Sequence, residues 1–236
     1  MNLKKTFFWV SIFSIAMGFL ESAVVIYLRK IYYANGFSFP LAPVAHDVAV
    51  VEIWREVATI IMLLGIGQLT GKNRAERFAY FIYSFAVWDI FYYVFLKVFL
   101  NWPESLLTWD ILLLLPVPWV GPVVAPVIIA CTLICFAITS VCYSEKGIRV
   151  ATAAREKLLL WAGAIVAIIS FTEDYMKHKG DILMRNLRGV GRLLQDLADY
   201  VPSSFDWVTF SIGQGLLLLS YILYLQRLGK LKRPLS

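Results

Sequence analysis

Six stretches of the chain stay apolar far longer than a globular core requires, at 7–28, 49–69, 78–100, 120–143, 158–171 and 207–225. None alternates polar and apolar residues over about ten positions, as the strands of a membrane barrel do. A run near 20 residues matches a helix crossing a hydrocarbon layer about 30 Å thick. The pattern predicts an all-α integral membrane protein, a single polytopic domain over 1–236 with about six transmembrane helices. The first run is too long for a signal-peptide core and no small-residue cleavage site follows it, so it reads as a span.

Two segments depart from plain spans. Residues 105–143 are too many for one crossing, and Pro116, Pro118, Pro122 and Pro126 interrupt them. Proline removes a helix hydrogen bond and clashes with the preceding turn. A short outer helix over 105–115 is therefore expected, then a re-entrant or kinked segment leading into the span 120–143. Irregular backbone at membrane depth survives only against protein or a wet cavity, so this turn is a candidate cavity wall. The second segment is 181–201, where Leu183, Leu187, Val190, Leu194, Leu197 and Val201 make one apolar stripe with Asp181 as N-cap. It predicts an amphipathic interfacial helix, a face on which a second copy or another membrane-complex subunit could dock.

Composition sharpens this picture. Of 236 residues, 60% are hydrophobic and 16% charged, well below the usual quarter charged of soluble domains. The net charge of +6 does not call for nucleic acid, because the basic residues gather at Lys4 and Lys5, at Lys72, Arg74 and Arg77, at 146–157 and at 227–233. Those are alternate loops and the tail, the positive-inside pattern, which predicts both termini cytoplasmic in a cell membrane. Lys177, Lys179, Arg185, Arg188 and Arg192 run against it, in a loop assigned outside.

Candidate chemistry lies in the acids. Glu21 interrupts the first span about 10 Å from its outer end and Asp89 the third about 16 Å from its own, at 1.5 Å per residue. Ionisable side chains at such depth mark functional sites by default. Glu52, Arg55 and Glu56 share one flank of the second span through their i, i+3, i+4 spacing, and Asp110 and Tyr92 fall at the same outer level. Glu173 and Asp174 close the outer end of the fifth span. Three readings compete. In the first, Arg55 neutralises Glu21 or Asp89 and the cluster only sets helix registry, although one arginine cannot offset several carboxylates. In the second, Glu21, Glu52, Arg55, Glu56, Asp89, Asp110 and Tyr92 form an outward-facing site for a small ligand, a cation or a proton, with possible coupling to transport. In the third, Asp89 and Asp110, each preceded by tryptophan, serve as the acid and base of a membrane-embedded enzyme acting on an amphiphile. A structural subunit of a membrane complex stays open as well.

Other chemistries find little support. The chain has two histidines, His46 and His178, both in loops, so a bis-histidine haem inside the bundle is excluded and no cofactor is expected. His46 with Glu52 and Glu56 is the one candidate metal set, set against the plainer reading of a solvated loop histidine. Cys131, Cys135 and Cys142 share one apolar helix without a CxxC motif and read as structural thiols. No phosphate-binding loop, GxGxxG, GxSxG or HExxH motif is present. A weak internal repeat relates Glu21 and Arg29 to Asp89 and Lys97, with Phe13 matching Phe81 at the same offset.

Overall fold

The structure is a computed structural model that describes residues 2–33, 36–186 and 200–232. Six helices carry it: α1 Leu3–Tyr32, α2 His46–Thr70, α3 Arg74–Leu100, α4 Val124–Ser144, α5 Ala154–Asn186 and α6 Trp207–Lys232. Between α3 and α4 lies an antiparallel hairpin, β1 Trp109–Leu113 and β2 Trp119–Pro122. Five helices (α1, α3, α4, α5 up to Lys177, and α6) are long and apolar enough to cross a membrane, and the chain is a multi-pass membrane protein. The sixth expected span, α2, has the length but carries Asp47, Glu52, Arg55 and Glu56 in its first half.

Helix starts follow from local capping. Asn2 Oδ1 accepts from Lys4 N–H at the start of α1, Asn73 Oδ1 from Glu76 N–H at the start of α3, and Asp206 Oδ1 from Val208 and Thr209 N–H at the start of α6. Glu156 reaches back to accept Ala153 N–H, as in a capping box, and Glu76 accepts Lys72 N–H one residue before the α3 cap. Both glutamates are buried, so the end of the bundle opposite the hairpin also holds acids, placed where helix N-termini stabilise negative charge.

Helix α3 is the hub, packed against α1, α2 and α4, while α5 lies along α6 and touches β2. A stripe of Ser14, Gly18 and Ser22 lets α1 close onto α3. A Cβ added at Gly18 would sit 3.0 Å from the Trp88 carbonyl oxygen, and Ser22 Oγ donates to Tyr92 O at 3.1 Å. One apolar cluster joins α1, α3, α4 and α6 around Val10, Tyr80, Phe136 and Tyr224. A second, around Leu41, Ile53, Leu114, Val120 and Tyr200, lies at the hairpin end.

Three expectations are corrected. The short outer helix over 105–115 is absent, since 109–113 form a strand. Pro116 and Pro118 deny those leucines a following helical turn, and β2 supplies the backbone partners instead, with Asp110 opposite Gly121 and Ile111 opposite Val120. Accordingly α4 starts at Val124, not at 120. The fifth helix begins at 154 and continues to 186, so Asp181 lies inside α5 and caps no new helix. Most of the expected amphipathic helix, 187–199, lies outside the described residues.

Candidate functional site

At the hairpin end, the last turns of α1 and α3 and the first turns of α2 meet β1. The α1 stripe that faces α3 leaves the neighbouring Glu21 turned toward α2, where it meets Arg55 in an ion pair. Arg55 also binds Glu52, Nε to Oε2 at 2.9 Å, and Thr59 Oγ1 donates to Glu21 Oε2 at 3.3 Å. Arg55 thus sits between two carboxylates. Glu56 behaves differently. Both its carboxylate oxygens accept from the backbone N–H of Leu114, at 3.1 and 3.0 Å, so the end of β1 hangs from α2. Glu56 makes no ion pair among the described residues.

Asp110 is buried in β1 and pairs with Arg29 Nη2 at 3.2 Å. The Arg29 guanidinium lies over Trp102 and Phe37, 3.7 and 4.2 Å from the ring centroids, which holds its charge in place with little exposure to water. The hydroxyls of Tyr93 and Tyr92 turn toward the Asp110 carboxylate. Burial pushes the Asp110 carboxyl up to about 6, against the opposing pull of Arg29 and these hydroxyls. Tyr33 accepts a hydrogen bond from Ala42 N–H at 3.0 Å, and burial raises its phenol above the ordinary range.

These groups border an open cavity of about 150 Å³ lined by Arg29, Glu52, Arg55, Glu56, Tyr92 and Asp110, with Leu41, Val44 and Leu114 as apolar walls. It is smaller than the 300–1,000 Å³ or so of sites for drug-sized ligands, and fits an ion with part of its water shell. Arg29, Tyr33 and Phe37 also line a wider recess of about 590 Å³ beside Lys30, Asn101 and Glu104. Arg29 therefore stands between the inner cavity and an open vestibule.

Of the residues expected at the site, Glu52, Arg55, Glu56, Tyr92 and Asp110 line this cavity, and Glu21 joins it through Arg55. Asp89 does not. It lies one turn below Tyr93 on α3, near enough to Asp110 for their charges to interact, and makes no ion pair or hydrogen bond among the described residues. A catalytic pair of Asp89 and Asp110 would need both to face one space, and only Asp110 lines the cavity. The metal set is not assembled either. His46 is exposed at the first turn of α2, Glu52 is taken by Arg55, and no group of three metal-ligating side chains occurs among the described residues. Glu173 pairs with Lys177, and Asp174 accepts from Tyr200 and Ser203, which ties the approach to α6 onto α5 away from the cavity.

Arg29 lines the cavity as well and is not among the candidate site residues read from the sequence, where it enters only through the weak repeat that aligns it with Lys97. The available signal was aromatic, since Phe37 in the loop after α1 and Trp102 just after α3 provide the flat surfaces on which a buried guanidinium stacks. No protein-family model matches the chain, and no curated protein and no solved structure is significantly similar to it.

Proposed function

We infer that this multi-pass membrane protein binds a small cation or a proton in the cavity at the hairpin end, and that the charge state of Glu56 sets how firmly the hairpin is held. The observation that carries this reading is the charge balance. Among the described residues, Glu21, Glu52 and Asp110 pair with Arg29 and Arg55 and Glu56 makes no ion pair, so four carboxyl groups share two cationic side chains. Desolvated negative charge attracts a compensating cation or proton strongly, because the surrounding dielectric is low. The cavity admits that class of ligand by size, and the vestibule beside Arg29 supplies a route to it.

Glu56 connects the ligand to the fold. Its carboxylate spends both oxygens on one backbone N–H. A proton or cation bound at these oxygens reduces their negative charge and so weakens the bond from Leu114 N–H, loosening β1 from α2. Occupancy and hairpin position then change together, which is the minimum a coupled binding or transport device needs.

The hairpin end is placed outside the cell membrane, with both termini cytoplasmic. In support, Lys4, Lys5, Lys72, Arg74, Arg77, Lys146, Arg149, Arg155, Lys157, Arg227 and Lys230 all fall at the opposite end of the helices.

The test uses the full chain in neutral-lipid nanodiscs, titrated separately with protons, sodium, potassium, magnesium and calcium while tryptophan emission is followed. Trp102 and Trp109 lie beside the site. A saturable response is expected, weakened about tenfold or more in Glu56→Gln, which keeps the shape but loses the charge. A response identical in Glu56→Gln, or none to any of these ions, overturns the reading. Flux of the responding ion in sealed vesicles then separates a transporter from a binding protein.

A further inference from the structure

At the end opposite the hairpin, α3, α4 and α5 do not close on one another. They leave a crevice of about 430 Å³ whose floor is Phe136, Ser140 and Val150. Phe78 and Trp161 flank it, 38% and 59% exposed, and Leu160 continues the apolar wall. Arg74 and Lys157 stand at its rim. Both are exposed, and neither makes an ion pair among the described residues.

The acids beside these two cations are already engaged. Glu76, two residues from Arg74, accepts from Lys72 N–H, Asn73 Nδ2 and Ser144 Oγ. Glu156, next to Lys157, is held by Arg227 at 2.7 and 3.0 Å and accepts from Ala153 N–H. The N-termini of α3 and α5 both point to this rim and add their partial positive charge. An apolar slot crowned by two uncompensated cations is complementary to a phosphate ester with a hydrocarbon tail, and basic recesses between membrane helices favour anionic head groups.

We propose that this crevice is a binding site for one anionic phospholipid, its phosphate held by Arg74 and Lys157 and an acyl chain lying along Phe78, Leu160 and Trp161. The site is independent of the acidic cavity at the other end.

Native mass spectrometry and thermal unfolding of the full chain test it, in nanodiscs of phosphatidylcholine alone, of phosphatidylcholine doped with phosphatidylglycerol, and of phosphatidylcholine with inorganic phosphate added. One phosphatidylglycerol is expected to stay bound per chain and to raise the unfolding midpoint. Phosphate without a tail is expected to raise it no further than buffer. The double variant Arg74→Gln, Lys157→Gln is expected to bind phosphatidylglycerol roughly thirtyfold more weakly, with an unchanged midpoint in phosphatidylcholine. Lys146→Gln with Arg149→Gln, two exposed cations at the same end that do not line the crevice, is expected to bind like the wild type. Equal retention of both lipids, full retention by the Arg74 and Lys157 variant, equal loss in the control variant, or the same shift from free phosphate overturns the proposal.

Discussion

Arg29 and Asp110 depend on each other because each is largely shielded from water. Their side chains are 9% and 3% exposed, and Arg29 Nη1 makes no hydrogen bond among the described residues. Removing one member of such a pair strands the other's charge, at a cost of about 3–5 kcal/mol. Arg29→Ala should lose that much stability by chemical unfolding in micelles, and Arg29→Lys should recover only part of it, since an ammonium cannot stack as a guanidinium does on Trp102 and Phe37. Asp110 also carries a pH signature. Its folded carboxyl titrates at about 6, above the ordinary 3.8, so the folded state binds this proton more tightly than the unfolded chain. The resulting stabilisation is complete below the ordinary value and is lost as pH rises through about 6. The stability difference between wild type and Asp110→Asn should therefore change with pH between about 4 and 6 and be flat above. A difference that is constant across that window excludes the assignment.

At the level of elements, the pair α5–α6 depends on two glycines. A Cβ at Gly213 would sit 2.7 Å from Ala167 N, and one at Gly163 would sit 2.9 Å from Gly213 O. Both obstacles are backbone, so the helices must separate to admit a methyl group. Gly213→Ala should cost about 1–3 kcal/mol, seen as a lower unfolding midpoint, with Gly215→Ala as an unaffected control because open space surrounds that position. The long helices were legible in the sequence because hydrophobic length is a strong signal and lipid leaves few alternatives. The hairpin was not. Leu112, Leu113, Leu114 and Leu115 have high helix propensity, and what makes 109–113 a strand is pairing with β2 across the turn together with Glu56 on α2. Tertiary partners of that kind leave no local trace. The prolines did indicate that the helix must break, and the segment does wall the cavity.

Across the whole molecule, charge is sorted between the two ends. Basic residues crowd the end opposite the hairpin, and the acids there are engaged, Glu76 and Glu156 at helix starts and Glu145 in an ion pair with Lys72. Among the described residues, carboxylates gather in excess of their cations around the cavity. The orientation is checked by cysteine accessibility, with Cys131, Cys135 and Cys142 first replaced by alanine. A cysteine at His46 should react with a membrane-impermeant maleimide added to intact cells, and one at Lys146 only after permeabilisation; the reverse pattern inverts the topology. The i, i+3, i+4 spacing on α2 correctly grouped Glu52, Arg55 and Glu56, because side-chain neighbours within one helix follow from the helix repeat alone. Which helix supplies each partner does not follow from it. Arg55 pairs with Glu21 and not with Asp89 because the Ser14, Gly18 and Ser22 stripe fixes how α1 is rotated against α3.

The hairpin comes late in the chain, and this has a consequence for biosynthesis. Arg29 and Glu56 are translated long before Asp110 and Leu114, the residues that satisfy them. A nascent chain that has inserted α1, α2 and α3 thus holds a cation and an acid without partners until the next stretch emerges. Domains form from the N-terminus as synthesis proceeds, so here the early helices wait for a short β-segment to complete them. Fragments ending after Leu100 should be recognised as unfinished and degraded faster in cells than fragments ending after Val124, which contain the whole hairpin. A pulse-chase comparison of the two measures that difference directly.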